Sequence, residues 1–245
     1  MDLARRKRKY RVAEPHMINL DGQYGPRVYQ SRLQRERNSQ SIVIDSKESE
    51  KNQILGMAGF LNQLCGDAII SHPQAGVKCV INHHMDPKSC YLLSNGAYQQ
   101  SCLSLVNTYV APNDCIAVLG GGIGLVPVIA SSITKKTTHV WEPYKNFHSI
   151  ILKNARINDV AVEIYQDIKD MKEVTPRLTT LIIDLSKQEA SFFNDINLSG
   201  LKNIIIFDDG YTVDEKFTAH FISEVIKHGF TMDTMRRGSY VFVRV

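Results

Sequence analysis

The stretch CIAVLGGGIGLVPVIASS, residues 115–132, decides the fold. It opens on a continuous apolar run of strand length, passes through Gly120-Gly121-Gly122-Ile123-Gly124, and turns apolar again. From Cys115 to Ile133 there are 19 residues without a charge, about the length that crosses a bilayer. The clustered glycines and Pro127 sit at the centre of that run, where a spanning helix would be interrupted. A buried strand, a tight turn and a helix explain the same residues and predict no membrane span. Such a turn is a ligand site for physical reasons. Glycine lets the backbone come close to a ligand, and the free N–H groups at the helix start favour anions and polar groups.

Downstream of the turn the pattern repeats. Apolar runs predict strands over 115–119, 138–142, 160–165, 179–184 and 203–208. Amphipathic segments predict helices over 124–133, 144–157, 187–196 and 214–228. The chain closes with GFTMDTMRRGSYVFVRV, which reads as two strands around a turn at Arg237-Gly238. Strands alternating with helices imply an α/β fold. The expected architecture is a doubly wound, mostly parallel seven-stranded sheet with an antiparallel C-terminal edge. In such sheets ligands bind outside the carboxyl ends of the strands, where the turn lies.

Upstream the pattern is weaker. Residues 1–40 form an irregular basic N-terminal extension, and RRKRKYR at Arg5–Arg11 holds six positive charges against a net charge of +4. The rest of the chain is therefore close to neutral. The run reads as a solvated arm, with an anionic or protein partner as the alternative. Residues 41–97 read as a small region. SIVID (41–45) suggests a strand and 46–65 a helix; Gly76–Asn82 and Ser89–Leu93 suggest a strand pair around HHMDPKS. Residues 98–245 form the cofactor domain, beginning with a helix over 98–110.

No apolar run of 7–15 residues follows the basic start, so no secretory signal is expected there. The five cysteines are widely spaced with no C-x-x-C, which predicts reduced thiols, mostly packed as small apolar residues, in a cytoplasmic protein. His83, His84 and Asp86 invite a metal, but neighbouring histidines on a strand face opposite ways, so a polar turn is expected and no metal site.

Three cofactor classes compete for the turn. A dinucleotide fingerprint ends in Gly or Ala, where this chain has Leu125 or Pro127; a P-loop needs Gly-Lys-Ser/Thr, which is absent. What remains is Gly120, Gly122 and Gly124 in G-x-G-x-G, with Glu142 ending the next strand, placed to accept hydrogen bonds from two ribose hydroxyls. Here residues 98–245 resemble the Rossmann-like (class I) S-adenosylmethionine-dependent methyltransferases. The FkbM-type subfamily is the closer match. Its second strand ends in Glu-Pro and leads into a helix with spaced asparagines, as in WEPYKNFHSIILKNARIN with Glu142, Pro143, Asn154 and Asn158. Its fourth strand ends in Asp with Glu five positions later, as do Asp184 and Glu189. The resemblance implies that Gly120, Gly122, Gly124 and Glu142 hold S-adenosylmethionine and places Asp167 near the adenine. Asp184 is the candidate catalytic residue, to position an acceptor or act as base.

Two departures matter. The family carries an acid two residues before its first motif glycine, where this chain has Val118. It also has Gly between Asp184 and Glu189, where this chain reads DLSKQE. Aminopropyl synthases are similar too, with G-G-G-D-G after an apolar strand. Ile123 stands in place of their Asp and Gln100 in place of an upstream Glu, so the carboxylates that steady a cationic amine are missing.

The expected function is methylation of an oxygen on a small-molecule or glycan-like acceptor. A non-catalytic module that keeps the fold is the alternative, favoured by Val118, Ile123 and Ser186. A nucleic-acid methyltransferase would use the basic arm, though no Asn-Pro-Pro-Tyr-like motif or Cys nucleophile follows the fourth strand.

Overall fold

The computed structural model describes residues 46–184, 197–207, 215–236 and 238–245. The arm 1–40, the strand expected over 41–45 and the helix expected over 187–196 lie outside these residues. So do Ser186, Glu189 and Arg237.

Helix α1 (Ser46–Gln63) leads into the hairpin of β1 (Asp67–Ser71) and β2 (Lys78–Asn82), then α2 (Pro87–Asn95) and α3 (Gln100–Tyr109). The alternating part follows: β3 (Ile116–Leu119), α4 (Leu125–Thr134), β4 (Thr138–Trp141), α5 (Lys145–Ile157), β5 (Val162–Tyr165), two short 3₁₀ turns over residues 168–177, and β6 (Thr180–Asp184). The chain ends with β7 (Asn203–Phe207), α6 (Glu215–Lys227), β8 (Phe230–Arg236) and β9 (Ser239–Arg244).

The seven-stranded sheet has the order β5-β4-β3-β6-β7-β9-β8. Strands β3 to β7 pair in parallel, and β8 and β9 add the antiparallel edge. Its register explains the continuous apolar runs. Val140, Val118, Ile182, Ile205 and Val241 align in one row across five strands and face one core. Leu181, Ile183, Ile204, Ile206 and Phe242 face a second core on the opposite side. Both faces are covered, so alternation with polar residues would leave buried polar groups without partners.

The N-terminal region departs from the expected strand pair. Residues 89–93 are helical: Asp86 accepts hydrogen bonds from the Ser89 backbone N–H (2.8 Å) and hydroxyl (2.9 Å), and Pro87 occupies the first turn. Gly96 ends the helix at φ 78°. The capping signature Asp-Pro-x-Ser outweighs the apolar Tyr91-Leu92-Leu93 run. Strand β2 pairs instead with β1, antiparallel from Asp67↔Asn82 to Ser71↔Lys78. His83 and His84 sit in the turn after β2 with ring centroids 3.7 Å apart. Leu61, Ile70, Cys79, Ile81, Cys90 and Leu93 join the same core as Val118 and Val140. Cys79, Cys90 and Cys102 are buried as small apolar residues, and burial pushes the first two thiols up to about 12. Among the described residues no helix is long and apolar enough to cross a membrane. No cluster of three or more His, Cys, Asp or Glu gathers among them as a metal site.

Candidate functional site

The sheet connections reverse direction at β3. From β3 the chain crosses to β4 and β5 on one side, then returns to β6 on the other. The crevice outside the carboxyl ends of β3 and β6 is therefore the switch point where α/β sheets hold ligands. The glycine turn, Glu142 and Asp184 all lie along this edge.

Gly120 donates to the Trp141 carbonyl at 2.9 Å and extends the β3–β4 ladder by one residue. The turn then runs through positive φ at Gly120 (86°), Gly122 (54°) and Gly124 (88°), so all three need glycine's freedom. The environments differ. A Cβ at Gly121 would stand 2.5 Å from Val140 Cγ1 and 2.9 Å from Ile151 Cδ1; one at Gly124 would stand 3.0 Å from the Ile151 Cα. These two glycines let the turn lie flat on α5 and β4. A Cβ at Gly122 would meet nothing within 4 Å. Gly122 thus borders open space, and Gly121, which the G-x-G-x-G reading passes over, is a packing residue.

Glu142 is 0% exposed. Its Oε2 accepts the Gly122 N–H at 2.9 Å and its Oε1 accepts the Tyr144 N–H at 3.1 Å. The carboxylate ties the middle of the glycine turn to the loop that starts α5. The Glu142 backbone carbonyl in turn lies 2.7 Å from His148 Nε2. Asp167 is different. It is exposed, follows β5 and accepts the Lys169 N–H at 2.9 Å as the cap of a 3₁₀ turn. With Trp141, Gln166, Ile168 and Asp170 it lines a hollow of about 420 Å³ at the ends of β4 and β5. The Trp141 indole N–H donates to the Gln166 carbonyl at 3.1 Å, which fixes the ring as one wall. Asp170 carries no sequence signal; the 3₁₀ turn brings it there.

Asp184 ends β6 and is 7% exposed. Its charge acts on the buried Cys102 of α3: burial holds that thiol well above its usual range, and Asp184 pushes the same way. Val118 is fully buried in the apolar row and supplies no charge to the turn. The structure therefore brings Gly120, Gly122, Gly124, Glu142 and Asp184 to one edge. Asp167 stands one strand further out, beside the hollow.

S-adenosylmethionine, which the resemblance implies, fits part of this edge. The hollow offers an indole face, an apolar Ile168 and an exposed carboxylate, which suit a purine and its exocyclic amine. Gly122 leaves room for close approach to the turn. The ribose end fits less well, because the Glu142 carboxylate is enclosed and already accepts two backbone N–H groups.

The fold is shared with S-adenosylmethionine-dependent methyltransferases. A putative enzyme of that kind from Streptococcus mutans superposes with a TM-score of 0.50 at 14% identity, over 74% of this chain and 55% of that one. A ribosomal protein L11 methylase from Lactobacillus delbrueckii subsp. bulgaricus gives 0.47 at 13% identity, over 60% of this chain and 79% of the other. A putative RNA methyltransferase from Pyrococcus horikoshii gives 0.46 at 14%, over 79% and 99%. This chain thus spans little more than half of the Streptococcus mutans protein. No protein-family model matches the sequence, and no curated protein does.

Proposed function

We propose that the chain binds S-adenosylmethionine across the ends of β3, β4 and β5 and catalyses methyl transfer to an oxygen of a small-molecule or glycan-like acceptor. The observation that carries this reading is Gly122: positive φ, and open space where a side chain would stand, at the switch point of the sheet. Trp141, Ile168 and Asp167 hold the adenine. Gly120 to Gly124 present backbone to the rest of the cofactor. Glu142 serves the site by holding that turn in place. The bound sulfonium would supply an electrophilic methyl group, so the protein's part is mostly positioning. Asp184, at the end of β6, accepts a hydrogen bond from the acceptor hydroxyl, aims its oxygen and takes its proton, while the sulfur that gives up the methyl would leave as S-adenosylhomocysteine. The choice of an oxygen acceptor follows only from the resemblance to the FkbM type, since Glu142, Asn154 and Asn158 bond the protein's own backbone.

Calorimetric titration with S-adenosylmethionine and S-adenosylhomocysteine tests the cofactor. Asp184→Asn then tests the acceptor role: cofactor affinity should hold while turnover falls. A folded protein that binds neither compound would favour a second reading, a non-catalytic module that keeps the fold. Two observations support that reading, the enclosed Glu142 carboxylate and the apolar Val118. A nucleic-acid acceptor, engaged through the Arg5–Arg11 arm, would instead show binding that weakens steeply with salt and is lost on deleting residues 1–11.

A further inference from the structure

The geometry points to the β1–β2 hairpin as a working part of the glycine-turn site, with Asn154 as the positioning residue that joins the two. Asn154 lies on α5 and is 1% exposed. Its Nδ2 donates to the Ile123 carbonyl at 2.7 Å, and its Oδ1 accepts the Val80 N–H at 2.6 Å. Ile123 stands between Gly122 and Gly124; Val80 is the middle of β2. The amide has one orientation here, because a flip would set donor against donor at Val80 and acceptor against acceptor at Ile123. One buried side chain thus spans from the hairpin to the turn.

The neighbours reinforce this. One helical turn later, Asn158 accepts the Lys78 N–H at 2.8 Å and donates to the Lys78 carbonyl at 2.7 Å. Asn158 Nδ2 also reaches the Asn154 carbonyl at 2.7 Å. Lys78 and Val80 are alternate residues, so their polar groups share the edge of β2 that β1 does not cover. The two amides, four residues apart on α5 and its C-cap, pair with that edge as a strand would. Lys153 forms an ion pair with Asp67 at the end of the hairpin. The same face of the helix receives the turn, through the approach of Gly121 and Gly124 to Ile151, three residues before Asn154.

A shift of β2 therefore moves Ile123 through Asn154. The Ile123 carbonyl sets the peptide plane leading into Gly124, whose αL conformation starts α4. The direction of the N–H groups at that helix start follows from it. The hairpin, whose residues carry no part of the glycine motif, then helps set the affinity of the turn. Its effect on a ligand rests on the adenosyl reading above; the mechanical link does not.

The test uses the full chain and two readouts, amide hydrogen exchange and titration with S-adenosylhomocysteine. Asn158→Ala touches the hairpin and not the turn. It should speed exchange at Lys78 and Val80 and, roughly fivefold, at Gly122 and Gly124, with a similar fold-loss of S-adenosylhomocysteine affinity. Asn154→Asp keeps the acceptor for Val80 and loses the donor to Ile123. In that background Asn158→Ala should still loosen the hairpin and no longer change exchange at the turn. This non-additivity is the signature of a link through Asn154. Turn exchange that is unmoved by Asn158→Ala, or effects that simply add, would overturn it. If the unmodified chain fails to bind S-adenosylhomocysteine, the adenosyl reading falls, and the exchange cycle still decides the link.

Discussion

Strands β4 and β5 are parallel neighbours, and an acidic residue follows the end of each. At β4 the carboxylate of Glu142 is enclosed and accepts N–H groups from Gly122 and Tyr144. At β5 the carboxylate of Asp167 is exposed, accepts one local N–H and borders a hollow. The difference comes from what lies next door. The glycine turn after β3 folds over the end of β4, so an acid there meets two backbone donors in a site closed to water, where charge-assisted bonds are strong. Among the described residues no strand lies beyond β5, and a 3₁₀ turn leaves its acid facing solvent. One carboxylate holds the protein's own turn; the other is free to meet a ligand.

The contrast sharpens most in the turn itself. Gly121→Val drives a branched side chain into Val140 and Ile151 and should destabilise the protein by about 3 kcal/mol or more. Gly122→Ala meets no neighbour and should cost about 1 kcal/mol, the expense of a positive φ. Urea midpoints compare the two. Equal losses would mean the enclosed and open sides of the turn do not differ as described.

Next in size is the pair of acids. Glu142→Ala leaves the Gly122 and Tyr144 N–H groups without their acceptor and should cost roughly 3 kcal/mol. Asp167→Ala removes a cap and should cost about 1 kcal/mol, while weakening adenosyl binding about tenfold. Melting and calorimetry on the same samples separate the roles. A Glu142→Ala protein that melts normally and has lost adenosyl binding would make Glu142 a ribose ligand and defeat its assignment to the turn.

The C-terminal part of this arrangement was legible from residue order. Continuous apolar runs such as Leu181-Ile182-Ile183 and Ile204-Ile205-Ile206, short and rich in β-branched residues, suit strands covered on both faces, and the Gly120–Gly124 cluster marks where helix and strand meet closely. The hairpin was harder. Asp67–Ser71 is five residues with only Ile70 buried, so it lacks the doubly covered signature, and Pro87 in HHMDPKS suits a turn as well as the helix start it makes. At the site, position along the strands was legible for Glu142 and Asp184. Enclosure was not, because it depends on how Gly121 and Gly124 settle on Ile151, a contact between segments about thirty residues apart. For the same reason Asn154 and Asn158 stood out as a motif without revealing that they bind β2.

The smallest effect concerns the same two strands away from their ends. His139 on β4 is paired in register with Glu163 on β5. Its Nδ1 lies 3.3 Å from Glu163 Oε2 and 3.2 Å from the Tyr165 hydroxyl. Burial holds the imidazole below its usual value, with Arg177 pushing the same way; Glu163 opposes both by charge and hydrogen bond, and burial wins. A histidine with a depressed value in the folded state binds its proton more readily when unfolded. Its contribution to stability is therefore full above about pH 6.5 and is lost as pH falls through the lower folded value. Urea midpoints at pH 7.5 and 5.5 should show the protein weakening on the acid side. His139→Gln should flatten part of that slope, leaving a remainder to which His72 contributes, since burial depresses it likewise. An acid slope unchanged in His139→Gln would mean that Glu163 compensates fully, and that the middle of β4 and β5, unlike their ends, treats a half-buried and an exposed group alike.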